Sequence, residues 1–259
     1  MPIDPAALRA QAAAAAAAWS DPAACAAAFR RLLEAYADRV HRYSPRLAET
    51  APPHELKTPA PVRRAALAAL RGPASAAPHE ALALARALWA GGTVEERQLA
   101  AEVLGLAAAQ APAEAAAQVE AWLPEIDSGA TAEALVKFGL SPMLAADPYA
   151  GLERARRWLT HPRRWIRRCG LAVIITLAHE RQWDDVPAAV EVLRTVMGER
   201  DPGVRSVVSA ALRALAPRDP PAVVRFLREH AGRQDHNTQV ILRAVLRDLP
   251  AEAQTELTR

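Results

Sequence analysis

Residues 201–216 read DPGVRSVVSAALRALA. Asp201 and Pro202 make a helix start: an Asp N-cap accepts orphan backbone N–H groups, and Pro at the first helical position has no N–H to leave unpaired. Val204, Val207, Val208, Ala211, Leu212 and Leu215 then recur at helical spacing and form one broad apolar face. Residues 163–180 repeat the design with Ile166, Cys169, Leu171, Val173, Ile174, Leu177 and Ala178. The Asp-Pro start recurs at Asp4-Pro5, Asp21-Pro22, Asp147-Pro148 and Asp219-Pro220.

Outward from these two segments, almost every break is Pro, Gly or Asp-Pro. The spacing predicts helices over 4–18, 21–42, 59–71, 76–90, 93–110, 112–123, 129–145, 147–160, 163–180, 184–198, 202–216, 219–232 and 235–248. Residues 43–58 form the longest irregular stretch, and 250–259 fray. Short helices in succession, each with one wide apolar face, bury those faces by stacking in pairs. The expectation is an all-α fold, a right-handed α-solenoid of HEAT-like antiparallel helix pairs with units of roughly 35–40 residues. The expected organisation is a single HEAT-like repeat domain over 1–259, with N-terminal helices in 1–44 and a tail at 251–259.

Composition agrees. The chain has 259 residues, 63 of them Ala, with only 3 Phe and 3 Tyr. Ala is the best helix former and strand-forming aromatics are scarce, which excludes a sheet protein. Two cysteines, Cys25 and Cys169, stand far apart without metal-ligand spacing, so neither a disulfide framework nor a zinc site is expected. Cys169 falls on an apolar helix face and is expected to be buried. No apolar run is long enough to span a bilayer. The expected setting is cytoplasmic, as a monomer, with no cofactor, no metal and no membrane partner.

Charge is unevenly placed. The net charge is +3, and the basic residues are 30 Arg against 2 Lys. Codon bias and bidentate phosphate binding both account for Arg over Lys. Residues 91–150 hold nine acids and two bases, whereas residues 151–170 hold seven Arg and the single acid Glu153. That second segment, GLERARRWLTHPRRWIRRCG, places its arginines where one helix ends and the next begins. Trp158 and Trp165 interleave with them. Basic residues mixed with aromatics at a helix junction suit a nucleic-acid surface. A solvated charged face, with both tryptophans serving as packing, is the alternative. His161 beside the cluster is expected to cap the helix end.

Four segments, in order, carry a resemblance to a known family: LKTPAPVRRAALAAL (56–70), LWAGGTVEERQLAAEVL (88–104), RRWLTHPRRWIRRCGLAV (156–173) and DPGVRSVVSAALRALAPRDPPAVVRFL (201–227). Over residues 45–250 the chain resembles the DNA alkylation repair glycosylases of the AlkD type, which are HEAT-like repeat proteins. The resemblance implies a concave basic face that wraps a duplex. It also implies hydrolysis of the N-glycosidic bond of N3- or N7-alkylated purines without base extrusion. A carboxylate near the sugar would stabilise the developing oxocarbenium ion.

Carried onto this sequence, Arg168 matches the family arginine that contacts the DNA backbone. Arg163, Arg164, Arg167, Arg205, Arg233 and Arg243 are further candidates for DNA contact, and Arg225 and Asn237 extend the same set. Glu133 falls on the catalytic carboxylate, where the family has Asp. Asp127 is the second carboxylate candidate, its ordinary role being an N-cap for the helix near 129. Lys57 stands where the family has Gly. Gly129 and the segment Val207–Ala210 stand where the family has cleft aromatics. The reading is therefore a duplex-DNA-binding protein of alkylation repair, with N-glycosylase activity. The alternatives are a non-catalytic DNA-binding member and a HEAT-type protein scaffold.

Overall fold

The computed structural model describes residues 3–37, 54–248 and 254. The expected helix end at 38–42, most of the irregular stretch 43–58 and nearly all of the tail lie outside the described residues. Among those described, every regular element is helical. The α-helices are α1 (Pro5–Ala16), α2 (Pro22–Ala35), α3 (Ala60–Ala76), α4 (Pro78–Ala90), α5 (Val94–Ala108), α6 (Pro112–Trp122), α7 (Gly129–Ala134), α8 (Ser141–Ala146), α9 (Pro148–Leu159), α10 (Arg164–His179), α11 (Val186–Leu193), α12 (Pro202–Leu215), α13 (Pro220–Ala231) and α14 (His236–Leu246). No described helix is long and apolar enough to cross a membrane.

Local chemistry sets the helix starts. All five Asp-Pro pairs work as read: Asp4, Asp21, Asp147, Asp201 and Asp219 each accept a backbone N–H from the first turn. Such a cap is worth about 1 kcal/mol over Ala. Asp185 and Asp235 cap α11 and α14 in the same way. Thr93 and Glu96 form a reciprocal capping box at the start of α5.

Two departures from the sequence reading stand out. Helix α3 continues through Pro73 to Ala76, because a proline near a helix end removes only one hydrogen bond. The helix read over 129–145 is interrupted by a π-helical segment, Leu135–Leu140. A side chain on Gly105 of α5 would collide with the Phe138 carbonyl oxygen of that segment. The widened turn thus presses its backbone onto α5 where only glycine leaves room.

The chain divides into two compact units, residues 1–142 and 143–259. In the first, α1 packs on α3, α3 on α5, and α5 on the π segment, while α2 packs on α4 and α4 on α5. Phe29, Leu33, Leu70, Leu84, Leu88, Leu99 and Leu104 are fully buried there, each contributing about 1.5–3 kcal/mol. Ala66, Ala81, Ala85, Ala100 and Ala101 share that core and let the helices approach closely. In the second unit, α9, α11 and α13 pack in succession, and so do α10, α12 and α14. Leu152, Leu159, Ile174, Leu177, Leu193, Leu212, Leu215, Leu227 and Ile241 fill the space between. Cys169 is fully buried on the apolar face of α10, as expected.

Candidate nucleic-acid interface

In the second unit the arginine cluster straddles the turn from α9 to α10. His161 accepts the Arg163 backbone N–H at Nδ1, 3.1 Å, and so bonds across the turn instead of capping the helix end as expected; Thr160 closes α9, its Oγ1 donating to the Arg157 carbonyl. Arg154 and Arg156 belong to α9: Arg154 lies 5.9 Å from the Trp158 ring centroid, and Arg156 pairs with Glu153 at 3.4 Å. Trp158 is buried, as a packing residue should be.

The start of α10 is different. Arg163 is its N-cap residue and is exposed. Arg164 stacks on Trp165, its guanidinium carbon 4.3 Å from the ring centroid, and reaches Asp201 Oδ2 at 3.4 Å. Arg168 approaches the same ring at 5.7 Å and donates from Nη1 to the Gly203 carbonyl at 3.4 Å. Trp165 itself is only half-buried, in contrast to the packing role read for it. One helix on, Arg205 of α12 donates from Nη1 to Asn237 Oδ1 of α14 at 2.6 Å. Since α10, α12 and α14 are packed in succession, Arg163, Arg164, Arg168 and Arg205 are gathered along adjoining N-terminal turns. Helix N-termini also carry orphan N–H groups and a positive dipole end, which favour anions.

Arg167 serves the fold. Its Nε and Nη2 lie 2.8 and 3.1 Å from the two Glu199 oxygens, and its Nη1 donates to the carbonyls of His161 and Pro162. Arg233 is exposed just before α14, its carbonyl accepting from Gln239 Nε2. Arg243 lies two turns into α14 with Nε donating to the Gln239 carbonyl, away from the N-terminal edge. Asp201 caps α12 through Val204 N–H as it meets Arg164. Burial pushes its carboxyl up, but the Val204 N–H and the Arg164 guanidinium outweigh this and hold it below its ordinary value.

The first unit holds the candidate carboxylates. Glu133 is the exposed fifth residue of α7, directly before the π segment. Gln98 is the fifth residue of α5 and Arg168 the fifth of α10, so Gln98, Glu133 and Arg168 occupy one register position at successive intervals of 35 residues, the interval that also separates Gln98 from its partner Arg63. Asp127 has another role than the N-cap expected for it. Ser128 caps α7, accepting Thr131 N–H, and Asp127 pairs with Arg97 at 3.1 Å. Arg97 in turn donates to the Glu125 carbonyl and sits 5.2 Å from the Trp89 ring centroid. Trp89 stacks on Trp122 at 4.2 Å and donates from Nε1 to Glu125. Two tryptophans, one arginine and two acids thus form one cluster that the linear order concealed. The only hint was Glu125 and Asp127 together after Trp122.

Three of the nine acids in the stretch before the arginines are internal. Glu95, Glu96 and Glu102 are buried on α5. Glu95 accepts the N–H groups of Leu56 and Thr58 at 3.0 and 3.1 Å, bracketing Lys57. Lys57 has φ of 54°, the left-handed region where glycine is at ease. Glu102 pairs with Arg63 at 3.2 Å, and its Oε2 is buried with no hydrogen-bond partner among the described residues. Burial raises its carboxyl and the Arg63 guanidinium only partly offsets this. Among the described residues no group of His, Cys, Asp and Glu could hold a metal ion. Gly129 opens α7, and Val207–Ala210 lies mid-α12 without an aromatic.

A family model described as "DNA alkylation repair enzyme" matches residues 32–245. No curated protein and no solved structure matches the chain.

Proposed function

This chain belongs to the DNA alkylation repair enzyme family, and from that premise we propose that it binds duplex DNA and hydrolyses the N-glycosidic bond of alkylated purines. The observation that carries the binding reading is the gathering of Arg163, Arg164, Arg168 and Arg205 on adjoining N-terminal turns of α10 and α12. Guanidiniums spaced along a row of helix ends suit the repeating phosphates of a backbone. The repeated pairing of helices within each unit supports a right-handed HEAT-like solenoid as the frame for this row. On this reading the whole chain acts as a single domain and a monomer.

In the chemical step the bond between sugar C1′ and the base nitrogen breaks. Its electron pair leaves with the base and neutralises the positive charge that alkylation placed there. The leaving group therefore needs no protonation. A water oxygen bonds to C1′ and gives up its proton to the surrounding solvent, leaving an abasic sugar and a neutral free base. Glu133 supplies the carboxylate that stabilises the oxocarbenium ion and orients the water. Its extra methylene relative to the family's Asp shifts the carboxylate by about 1 Å, a displacement that costs on the order of 10²-fold in rate.

Incubation with a duplex containing 7-methylguanine, followed by quantification of released base, tests the activity. Release above the spontaneous rate that is lost in Glu133→Gln supports it. Release unchanged in Glu133→Gln rejects Glu133, and the Arg97-paired Asp127 is then the carboxylate to replace. A second reading, a DNA-binding member without catalysis, is favoured by Gly129 and by the absence of any aromatic in Val207–Ala210. Duplex binding without base release decides for it.

A further inference from the structure

We propose that Trp165 is a positioning residue for this interface: its indole racks Arg164 and Arg168 so that two guanidiniums are presented to duplex phosphates already oriented. The inference rests on the duplex-binding reading above.

Three observations converge on the ring. First, both guanidiniums approach it, at 4.3 Å for Arg164 and 5.7 Å for Arg168. Arginine stacks well on an aromatic face, where its charge meets the negative quadrupole while its N–H edge stays available. Second, Trp165 is half-buried, unlike Trp158 on α9 and Trp183 before α11, which are buried. A large ring left partly in water at the second position of a helix stays accessible to the two side chains lying on it. Third, the same two arginines touch the next helix start, Arg164 at the Asp201 carboxylate and Arg168 at the Gly203 carbonyl, each at 3.4 Å. Asp201 therefore offers Arg164 the type of anionic oxygen that a phosphate would offer.

The physical consequence concerns freedom. A solvated arginine loses rotamer freedom when it closes on a phosphate, and that loss weakens binding. A guanidinium already stacked has surrendered most of it on folding. Trp165 then touches no DNA itself and acts through Arg164 and Arg168.

The test is anisotropy titration of a fluorescein-labelled DNA duplex with the full chain at low salt. Trp165→Leu is expected to weaken binding by about 5- to 10-fold, the cost of ordering two arginine side chains on binding instead of on folding. Trp165→Phe, which keeps an aromatic face, is expected within about threefold of the parent. In a background already carrying Arg164→Gln and Arg168→Gln, Trp165→Leu is expected to cost nothing further. A merely structural role would give the same loss in both backgrounds, and that result overturns the inference. So does unchanged binding by Trp165→Leu in the parent background. Should Trp165→Leu fail to fold, Trp165→Met, which fills a similar space without an aromatic face, carries the same comparison, and parent-like binding by it overturns the inference. A parent protein that binds no duplex removes the duplex reading itself, which a failure confined to the Trp165 variants does not.

Discussion

Arg167 grips Glu199 across 32 residues of sequence through two parallel hydrogen bonds, 2.8 and 3.1 Å. The two side chains are only 17% and 7% exposed, so the pair is largely desolvated. It fastens the start of α10, which carries Arg164 and Arg168, to the segment leading into α12.

Arg167→Met should therefore act on stability. Glu199 would be left poorly compensated, at a cost of about 2–3 kcal/mol. Urea denaturation should show that loss, while the salt dependence of duplex binding by the folded variant stays at the parent value. A variant that keeps full stability but binds with a shallower salt dependence would move Arg167 into the interface.

Lys57→Gly should stabilise the protein. Lys57 holds φ at 54°, which a side chain disfavours by about 1–2 kcal/mol, while glycine adds back about 0.5–1 kcal/mol of unfolded-state freedom. The net gain is about 0.5–1 kcal/mol, visible as a raised denaturation midpoint. Lys57→Ala keeps the side-chain clash and should give no such gain.

The family resemblance placed a glycine at this position, so the need for one was legible; why it was needed was not. Much else was legible too. The five Asp-Pro starts all cap, and Val204, Val208, Ala211, Leu212 and Leu215 all turn inward on α12. Those features depend on neighbours within a turn or two. What the sequence concealed depends on distant partners. Seven arginines in 20 residues look alike until Glu199 and Asp201, a helix pair later, engage two of them. Asp127 reads as the cap of α7, yet Ser128 caps that helix and Asp127 pairs with Arg97, 30 residues earlier in the chain. The π segment lies against α5 at Gly105, a contact between distant residues that no local pattern encodes.

Glu102→Gln should reveal a pH dependence of the opposite sense to ordinary acid denaturation. Burial raises the Glu102 carboxyl in the folded state, so the folded protein holds this proton to higher pH than the unfolded chain does. Its contribution to stability therefore falls as pH rises through the elevated value. Glutamine keeps an oxygen for Arg63 and carries no charge. Denaturation of parent and variant between pH 4 and neutrality should show the variant gaining relative to the parent as pH rises. A constant difference would contradict the assignment.

Asp201→Asn should tighten duplex binding. Asparagine keeps the cap on α12 but no longer holds the Arg164 guanidinium as an ion pair. That pair is solvent-facing, with the Arg164 side chain 55% exposed, so stability should change by less than about 1 kcal/mol. Releasing Arg164 should strengthen low-salt affinity by about two- to fivefold. Weaker binding would mean that Asp201 orients Arg164 for the duplex and does not compete with it.

On the proposed reading, arginines at the N-terminal turns of α10 and α12 hold the phosphate backbone. Duplex affinity measured across a range of salt concentrations, for the parent and for a variant with Arg164, Arg168 and Arg205 each replaced by Gln, tests it most directly. The parent is expected to bind at low salt, log affinity to fall linearly with log salt, and the variant to bind more weakly with a slope smaller by about 3. A parent that binds no duplex at low salt, or a variant with an unchanged slope, would contradict it.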